Sequence, residues 1–351
     1  MLNPSLVLEQ AATLSELYEK ELPELVTQPI TLPKSIRRVY ALGNGDSYHA
    51  LLSASQAFCS WTNIEYHPVP AYTFMQHELH RLSPEDATHT LVVCISASGS
   101  STLATRVLDD VHRRGLGMTL SITGKHGNNM DQAADYILST AITEKGRTPG
   151  IRTFAASLCG MLCLAGYLSE CNDHLRLVAE TLQRNAPMLE DILSKGMQIG
   201  KTASQWSWPL CTVLGCDSLQ GCAQFVSAKM VEISGVYAAG QEMEEWCHVE
   251  SMAYPLDAPV IVLLGSTYDR KKALSVMELA HRAGRKVMLV SSFAQDDELQ
   301  DNADESIFLA LSMQEEMNSL FHYIPLLPLA QCLAEKKGRA MFLSDQPFRL
   351  F

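Results

Sequence analysis

The chain carries 10 cysteines, yet no two are spaced CxxC and none fall into an even framework. A disulfide scaffold is therefore excluded, and Cys94, Cys159 and Cys163, each inside an apolar stretch, read as reduced and buried thiols. No apolar run approaches the 20 residues of a membrane span. The first 25 residues, MLNPSLVLEQAATLSELYEKELPEL, form an acidic amphipathic pattern rather than a signal peptide. The expectation is a soluble, cytoplasmic protein. Basic residues are also scarce, with 27 Lys and Arg against 39 Asp and Glu, a formal net charge of -12. That balance opposes nucleic acid and anionic membrane surfaces as partners, although a small anion could still sit in a local pocket. Low-complexity segments and flexible linkers are missing too. His77 and His80 in QHELH lack the spacing of a zincin helix and read as surface or capping residues, so neither metal nor cofactor is expected.

What is present is a globular chain of 351 residues, 47% hydrophobic and 19% charged, long enough for two domains. Its most strand-like segment, LVVCISASGSS from Leu91 to Ser101, ends in small hydroxyl and glycine residues. The run LVVCI predicts a buried strand, followed by a loop and a helix starting near Thr102. Backbone N–H groups in such a loop, with a helix N-terminus behind them, suit a phosphate. Ser96, Ser98, Ser100 and Ser101 would add donors without bulk. An ordinary serine-capped turn fits the stretch equally well.

The rest of the chain resembles itself at an offset of about 170 residues, the signature of an internal repeat. HRRGLGMTLSI from His112 matches HRAGRKVMLVS from His281, LVVCISASGSS matches VIVLLGSTYDR from Val260, and YALGNGDSYHALL from Tyr40 matches VLGCDSLQGCA from Val213. Each half thus begins with a strand, a Gly-containing loop, Asp-Ser and a helix. Strands separated by helical segments predict parallel sheets. The expected fold is α/β, two similar domains at 1–185 and 186–351, each a doubly wound parallel sheet flanked by helices, with ligands at the carboxyl ends of the strands. LRLVAETLQRNAPMLEDILSKGM, from Leu175 to Met197, is the helical connector. In the second half the serine loop has become GSTYDRK, keeping only Ser266 and Thr267, so a phosphate belongs to the first half.

A second helix is predicted from about Ser218 to Ser234, burying Leu219, Cys222, Phe225, Val226, Met230 and Ile233. Lys229 and Glu232 share another of its faces, as catalytic groups or as a solvated i,i+3 ion pair. A long polar and aromatic connection follows, carrying Glu242, Glu244, Glu245, Trp246 and His248. Connections of this length are often functional, though EMEEW could also continue a helix as a solvated acidic face.

Together these stretches resemble the sugar isomerase (SIS) domain family, in particular the tandem-SIS isomerase half of glucosamine-6-phosphate synthase and fructosamine-6-phosphate deglycases. The family's motifs fall at Gly43 to Ala50, at Ile95 to Ser101, at Lys229 with Glu232, and at Glu245 with His248; Glu232 and His248 lie sixteen residues apart, as in the family pattern. LLPLAQCLAEKKGRA and DQP match the family's end. The resemblance implies that Ser47, Ser96, Ser98 and Ser101 hold a sugar 6-phosphate, with Gly45, Asp46, Gly99, Ser100, Glu245 and Arg349 as further contacts. Ser101 replaces a threonine and Ala97 a glutamine, so one phosphate donor is missing. Asp46 should face a sugar hydroxyl or a helix N-terminus, because a carboxylate repels phosphate. Thr143 and Glu144, leading into GRTPGIRT, resemble the segment that closes over the sugar; Arg152 there reads as a surface residue, with ligand contact as the alternative.

By resemblance Glu232 is the base that moves a proton between C1 and C2, His248 the ring-opening acid, supplied by the neighbouring subunit of a homodimer with a shared active site, and Lys229 a third catalytic residue. A carboxylate and an imidazole suit those tasks near neutral pH. The synthase's glutaminase domain and its tail lysine have no counterpart here: no lysine follows Lys337, and an arginine is too basic to act as an amine nucleophile. A substrate that already carries its nitrogen needs neither. The favoured reading is a fructosamine 6-phosphate deglycase releasing glucose 6-phosphate and an amine. The alternatives are an amino sugar phosphate deaminase, a ketose-aldose isomerase, and a non-catalytic phosphosugar sensor. Replacement of the family's HGP by His248, Val249 and Glu250 points to a pocket reshaped beyond the sugar phosphate.

Overall fold

Runs such as TLVVCIS and VIVLL have no polar alternation, which is what strands covered by helices on both faces require. In the computed structural model, which describes residues 2–146, 149–171 and 173–346, both are central strands of parallel sheets. The chain forms two compact units. One gathers Glu16–Glu144 and Arg152–Arg184; the other gathers Met1–Ser15, Lys145–Ile151 and Asn185–Phe351.

The first unit contains β1 (Arg38–Gly43), β2 (Glu65–Pro70), β3 (Thr90–Ser96), β4 (Met118–Thr123) and β5 (Tyr136–Ser139), paired in the order β2-β1-β3-β4-β5. Its core packs Leu42, Val92, Cys94, Val107, Leu108 and Met130. The second contains β6 (Cys211–Leu214), β7 (Ala238–Gln241), β8 (Val260–Leu264), β9 (Val287–Ser291) and β10 (Glu305–Phe308), ordered β7-β6-β8-β9-β10. Leu214, Trp246, Val262, Leu264, Met277 and Leu289 fill its core. All pairings are parallel, and the two orders are the same order. Each sheet thus has a topological switch point, between β1 and β3 and between β6 and β8, where doubly wound sheets hold ligands.

The repeat extends to single residues. His112 Nδ1 lies 2.9 Å from Asp135 Oδ1, and Asp135 accepts the Thr119 N–H. Likewise His281 Nε2 lies 3.0 Å from Asp304 Oδ2, which accepts the Val287 N–H at 2.8 Å. This is what the repeated HR-x-G motif does: its histidine latches a helix end to the loop before the next strand. Burial works against the Asp304 carboxylate, but Lys286 Nζ at 2.5 Å, the Val287 N–H and His281 hold it below the usual range. A depressed carboxylate stabilises the fold above its unfolded pKa and loses that contribution as pH falls through the folded value. Asp304→Asn should therefore lose about 1 kcal/mol at neutral pH, after allowance for solvent screening. Thermal melts of parent and variant should converge as the pH is lowered through the acid range.

The structure sets the register of the repeat. A Cβ on Gly43 would stand 3.0 Å from the Ser47 carbonyl carbon, and one on Gly215 would stand 2.5 Å from the Leu219 oxygen, so these two glycines occupy one position. Gly45 (φ 55, ψ -133) then coincides with Asp217 (φ 49, ψ -125), and Ser47 with Leu219, not Asp46-Ser47 with Asp217-Ser218. Positive φ suits glycine and strains an aspartate. Asp217→Gly should relieve more strain than it adds in chain entropy, raising stability by about 1 kcal/mol and the melting temperature by a few degrees.

The helix Ile151–Leu168 is apolar and 18 residues long, sufficient by length and composition to cross a membrane, but 83% of it is buried within the protein. The ten cysteines are free thiols; Cys94, Cys159, Cys163, Cys211 and Cys222 are buried.

Candidate functional site

The first switch point is built from two loops. After β1, Gly45 turns the chain into the helix Asp46–Ser53, placing Asp46 and Ser47 in its first turn, where a carboxylate is favoured by the helix dipole. After β3, Ala97 to Ser101 lead into the helix Thr102–Arg113, which starts where the sequence predicts. Ser101 is its N-cap, its Oγ accepting the Ala104 N–H at 3.2 Å. Ser98 Oγ and Ser100 Oγ are 2.6 Å apart and exposed, with Ser96 Oγ 3.5 Å from Ser98 Oγ. Capping and a hydroxyl cluster are thus both present, since Ser101 serves the helix while the exposed hydroxyls face outward from the loop. Gly99 is buried at φ 64, a conformation that favours glycine.

The second switch point has the same backbone and opposite chemistry. Asp217 stands at the equivalent of Gly45, and Asp269 precedes the helix Arg270–Arg282 as Ser101 precedes its own. Burial, then Asp217, Glu315 and Glu242, push the Asp269 carboxyl above its ordinary value. Burial also pushes the Cys216 thiol up to about 12, and the thiol donates to Glu242 Oε1 at 3.3 Å. Carboxylates converge where the other unit offers hydroxyls, an environment hostile to phosphate.

The predicted helix over 218–234 is found as Ser218–Lys229 running on into a wider π-type turn, Met230–Ser234, closed by Gly235 in the left-handed region. Such turns recur at functional sites. Every residue assigned to its apolar face is buried. Lys229 is 3% exposed, which replaces the solvated ion pair with a buried ammonium. Its Nζ donates to Glu232 Oε2 at 2.5 Å and to the Pro149 carbonyl at 2.9 Å, and lies 5.1 Å from the centre of the Phe225 ring. The Glu232 side chain keeps 30% of its surface open, so the carboxylate is both charge-paired and reachable.

His248 ends the short helix Met243–His248 with its side chain 70% exposed, 3.1 Å from Glu244 Oε1. Glu244 is also paired with Lys272, and Glu245 is exposed. No hydrogen bond or ion pair joins His248 to Glu232 among the described residues. Glu242 caps the helix, accepting the Glu245 N–H at 2.9 Å, so EMEEW is indeed helical. The connection read as a single loop also contains the strand β7, whose sequence AAGQ offers no β-branched residue to announce it.

Arg152 is 3% exposed, which overturns a surface role: its Nη2 donates to Glu21 Oε1 at 2.7 Å and to the Thr143 carbonyl, and the Thr143 N–H donates to Glu21 Oε2 at 2.5 Å. An arginine spent in this way organises the 143–144 segment from within. His77 and His80 are exposed. Arg349 lies outside the described residues. Arg285 is not among the residues that the sequence singles out, yet its buried guanidinium donates to the carbonyls of Ser251, Tyr254 and Pro255, fastening the chain just after His248. Its signal was present: HRAGR puts an arginine where HRRGL has an apolar residue.

Residues 34–164 match the SIS domain family. The chain is 22% identical over 316 residues to an isomerizing glutamine–fructose-6-phosphate aminotransferase of Mycolicibacterium paratuberculosis, covering 87% of this chain and 49% of that protein. It thus spans about half the length of the curated relatives it matches. Among solved structures, the C-terminal domain of glucosamine-fructose-6-phosphate aminotransferase from Francisella tularensis superposes with a TM-score of 0.81 at 16% identity, over 95% of this chain and 97% of that one. Glucosamine-6-phosphate deaminase from Thermotoga maritima gives a TM-score of 0.69 at 15% identity, over 94% and 95%. The fold is the SIS-type α/β fold, with two parallel five-stranded sheets flanked by helices, as the sequence predicts.

Proposed function

We propose that the chain is a phosphosugar enzyme of the aldose-ketose proton-transfer class, acting on 6-phosphorylated fructosamines. The observation that carries this reading is the buried Lys229 holding a reachable Glu232 carboxylate, an arrangement suited to a general base and of no use to a passive binding module. The serine loop at the first switch point supplies hydroxyl donors for the 6-phosphate. The names of the similar proteins, an isomerizing glutamine–fructose-6-phosphate aminotransferase and a glucosamine-6-phosphate deaminase among them, support the same class.

In the proposed reaction His248 protonates the ring oxygen as the sugar opens. Glu232 removes a proton from C1 of the open fructosamine, the C2 carbonyl oxygen takes up a proton, and the resulting enaminol is reprotonated at C2. The product is a C1 imine, which water splits into glucose 6-phosphate and the free amine. Lys229 takes no part as a nucleophile, because its ammonium is committed to Glu232 and the Pro149 carbonyl. A substrate with its own nitrogen therefore fits better than a ketose awaiting Schiff-base capture. Tyr237, Val249, Met252 and Leu256, all exposed in the segment that bears His248, support a homodimer in which this face is covered.

The test is a coupled assay for glucose 6-phosphate release from a panel of 6-phosphorylated fructosamines, with glucosamine 6-phosphate and fructose 6-phosphate alongside. Release from a fructosamine is the expected result. Turnover of glucosamine 6-phosphate or fructose 6-phosphate alone would replace it with the deaminase or the isomerase. Binding without turnover on every compound would make the protein a phosphosugar sensor.

A further inference from the structure

The serine loop rests on a floor. A Cβ on Gly99 would lie 2.4 Å from Asn128 Cγ, 2.6 Å from its Nδ2 and 2.9 Å from its Oδ1, so the Asn128 amide lies flat beneath this glycine with no room between. A second contact of the same kind lies beside it, where a Cβ on Gly124 would stand 2.7 Å from the Ala97 carbonyl oxygen. The loops after β3 and β4 thus meet at two places, each possible only because one partner lacks a side chain.

The Asn128 amide is fixed from every side. Its Oδ1 accepts the N–H groups of Met130 at 2.8 Å and Asp131 at 3.1 Å. Its Nδ2 lies 2.9 Å from Thr123 Oγ1, 2.9 Å from Asp131 Oδ2 and 2.5 Å from the Lys125 carbonyl. Asp131 is buried and accepts in turn from Ser121 Oγ at 2.7 Å and from the Gly127 N–H at 3.0 Å. A satisfied polar network of this kind, anchored on the buried Ser121, Thr123 and Asp131, is rigid, because any tilt of one member leaves another unpaired.

A loop of glycine, alanine and serines has little of its own to hold it, and ordering it on ligand binding would subtract from affinity. We propose that Asn128, held by Thr123 and Asp131, is a positioning residue that pre-orders the serine loop for its phosphate through the contact with Gly99. This rests on the reading of that loop as the phosphate site.

The experiment is calorimetric binding of fructose 6-phosphate and of inorganic phosphate to Gly99→Ala, Asn128→Ser and the double variant. Asn128→Ser keeps an oxygen to cap the turn at Met130 and Asp131 while removing the plate under Gly99. We expect Asn128→Ser to weaken binding about tenfold, by loss of pre-organisation. Gly99→Ala, which adds the clash, should weaken it more, and the double variant should bind more tightly than Gly99→Ala alone, because the clashing partner is gone. In turnover, Asn128→Ser should raise KM and leave kcat within about twofold, the mark of lost ground-state binding. Additive losses in the double variant, or unchanged affinity in a folded Asn128→Ser, would overturn the proposal. If the parent binds neither probe, the phosphate reading fails by itself. The contact is then judged by amide hydrogen exchange over Ser98–Ser101, which Asn128→Ser should accelerate; unchanged exchange would overturn the positioning role.

Discussion

Glu232→Gln should lower turnover by roughly 10²- to 10⁴-fold while leaving phosphosugar affinity nearly unchanged, the range expected when a general base is removed. The substitution preserves shape and still gives the Lys229 ammonium an oxygen at Glu232 Oε2's place, beside the Pro149 carbonyl at 2.9 Å. Stability should fall, because the buried Lys229 ammonium loses its counter-charge, so kcat is compared at a temperature where both proteins are folded, and a large fall there reports chemistry and not unfolding. Single-turnover rates with a 6-phosphorylated fructosamine, set beside calorimetric affinity for fructose 6-phosphate, make the measurement. Parent-like turnover in the variant would remove Glu232 from the reaction.

Arg285→Met should destabilise the protein by about 3 kcal/mol, because three carbonyls lose a charged donor at once. The side chain is 3% exposed and lies 5.8 Å from the Trp246 ring. Burial lowers the pKa of the guanidinium, yet arginine retains its charge throughout the working range. The carbonyls it holds, at Ser251, Tyr254 and Pro255, follow His248 directly in the chain. Loosening them should misplace the imidazole, so kcat should fall beyond what a reduced folded fraction explains. Arg285→Lys should recover only part of both losses, since an ammonium lacks the planar fork that reaches three acceptors. Urea unfolding and initial rates at a temperature where both variants are folded separate the two effects; unchanged stability would show that the carbonyls need no such donor.

The sequence is most legible where one pattern has one physical meaning. Unbroken apolar runs announced β3 and β8, and the helix over 218–234 followed from its apolar face. It is least legible where geometry is carried by the backbone. The edge strand β7 has no strand-like residues, and Gly240 is needed there because a Cβ would come within 2.4 Å of the Gln224 nitrogen. The register of the repeat is hidden for a similar reason. Gly43 corresponds to Gly215 and Ser101 to Asp269, two separations of different length, so a single offset must fail at one of them. Lys229 and Glu232 could be paired from their spacing, but nothing in an i,i+3 interval says that the lysine is buried. The burial of Arg152 is hidden for the same reason, because its partner Glu21 is remote in the chain.

The mismatch between Gly45 and Asp217 has a consequence for stoichiometry. Two crevices of one topology differ in sign: hydroxyls gather at one, while Asp217, Glu242, Asp269 and Glu315 surround the other. A phosphosugar titration should therefore saturate at one equivalent per polypeptide, not two. Any sigmoidal binding would then have to arise between polypeptides, since among the described residues the second crevice is lined by carboxylates.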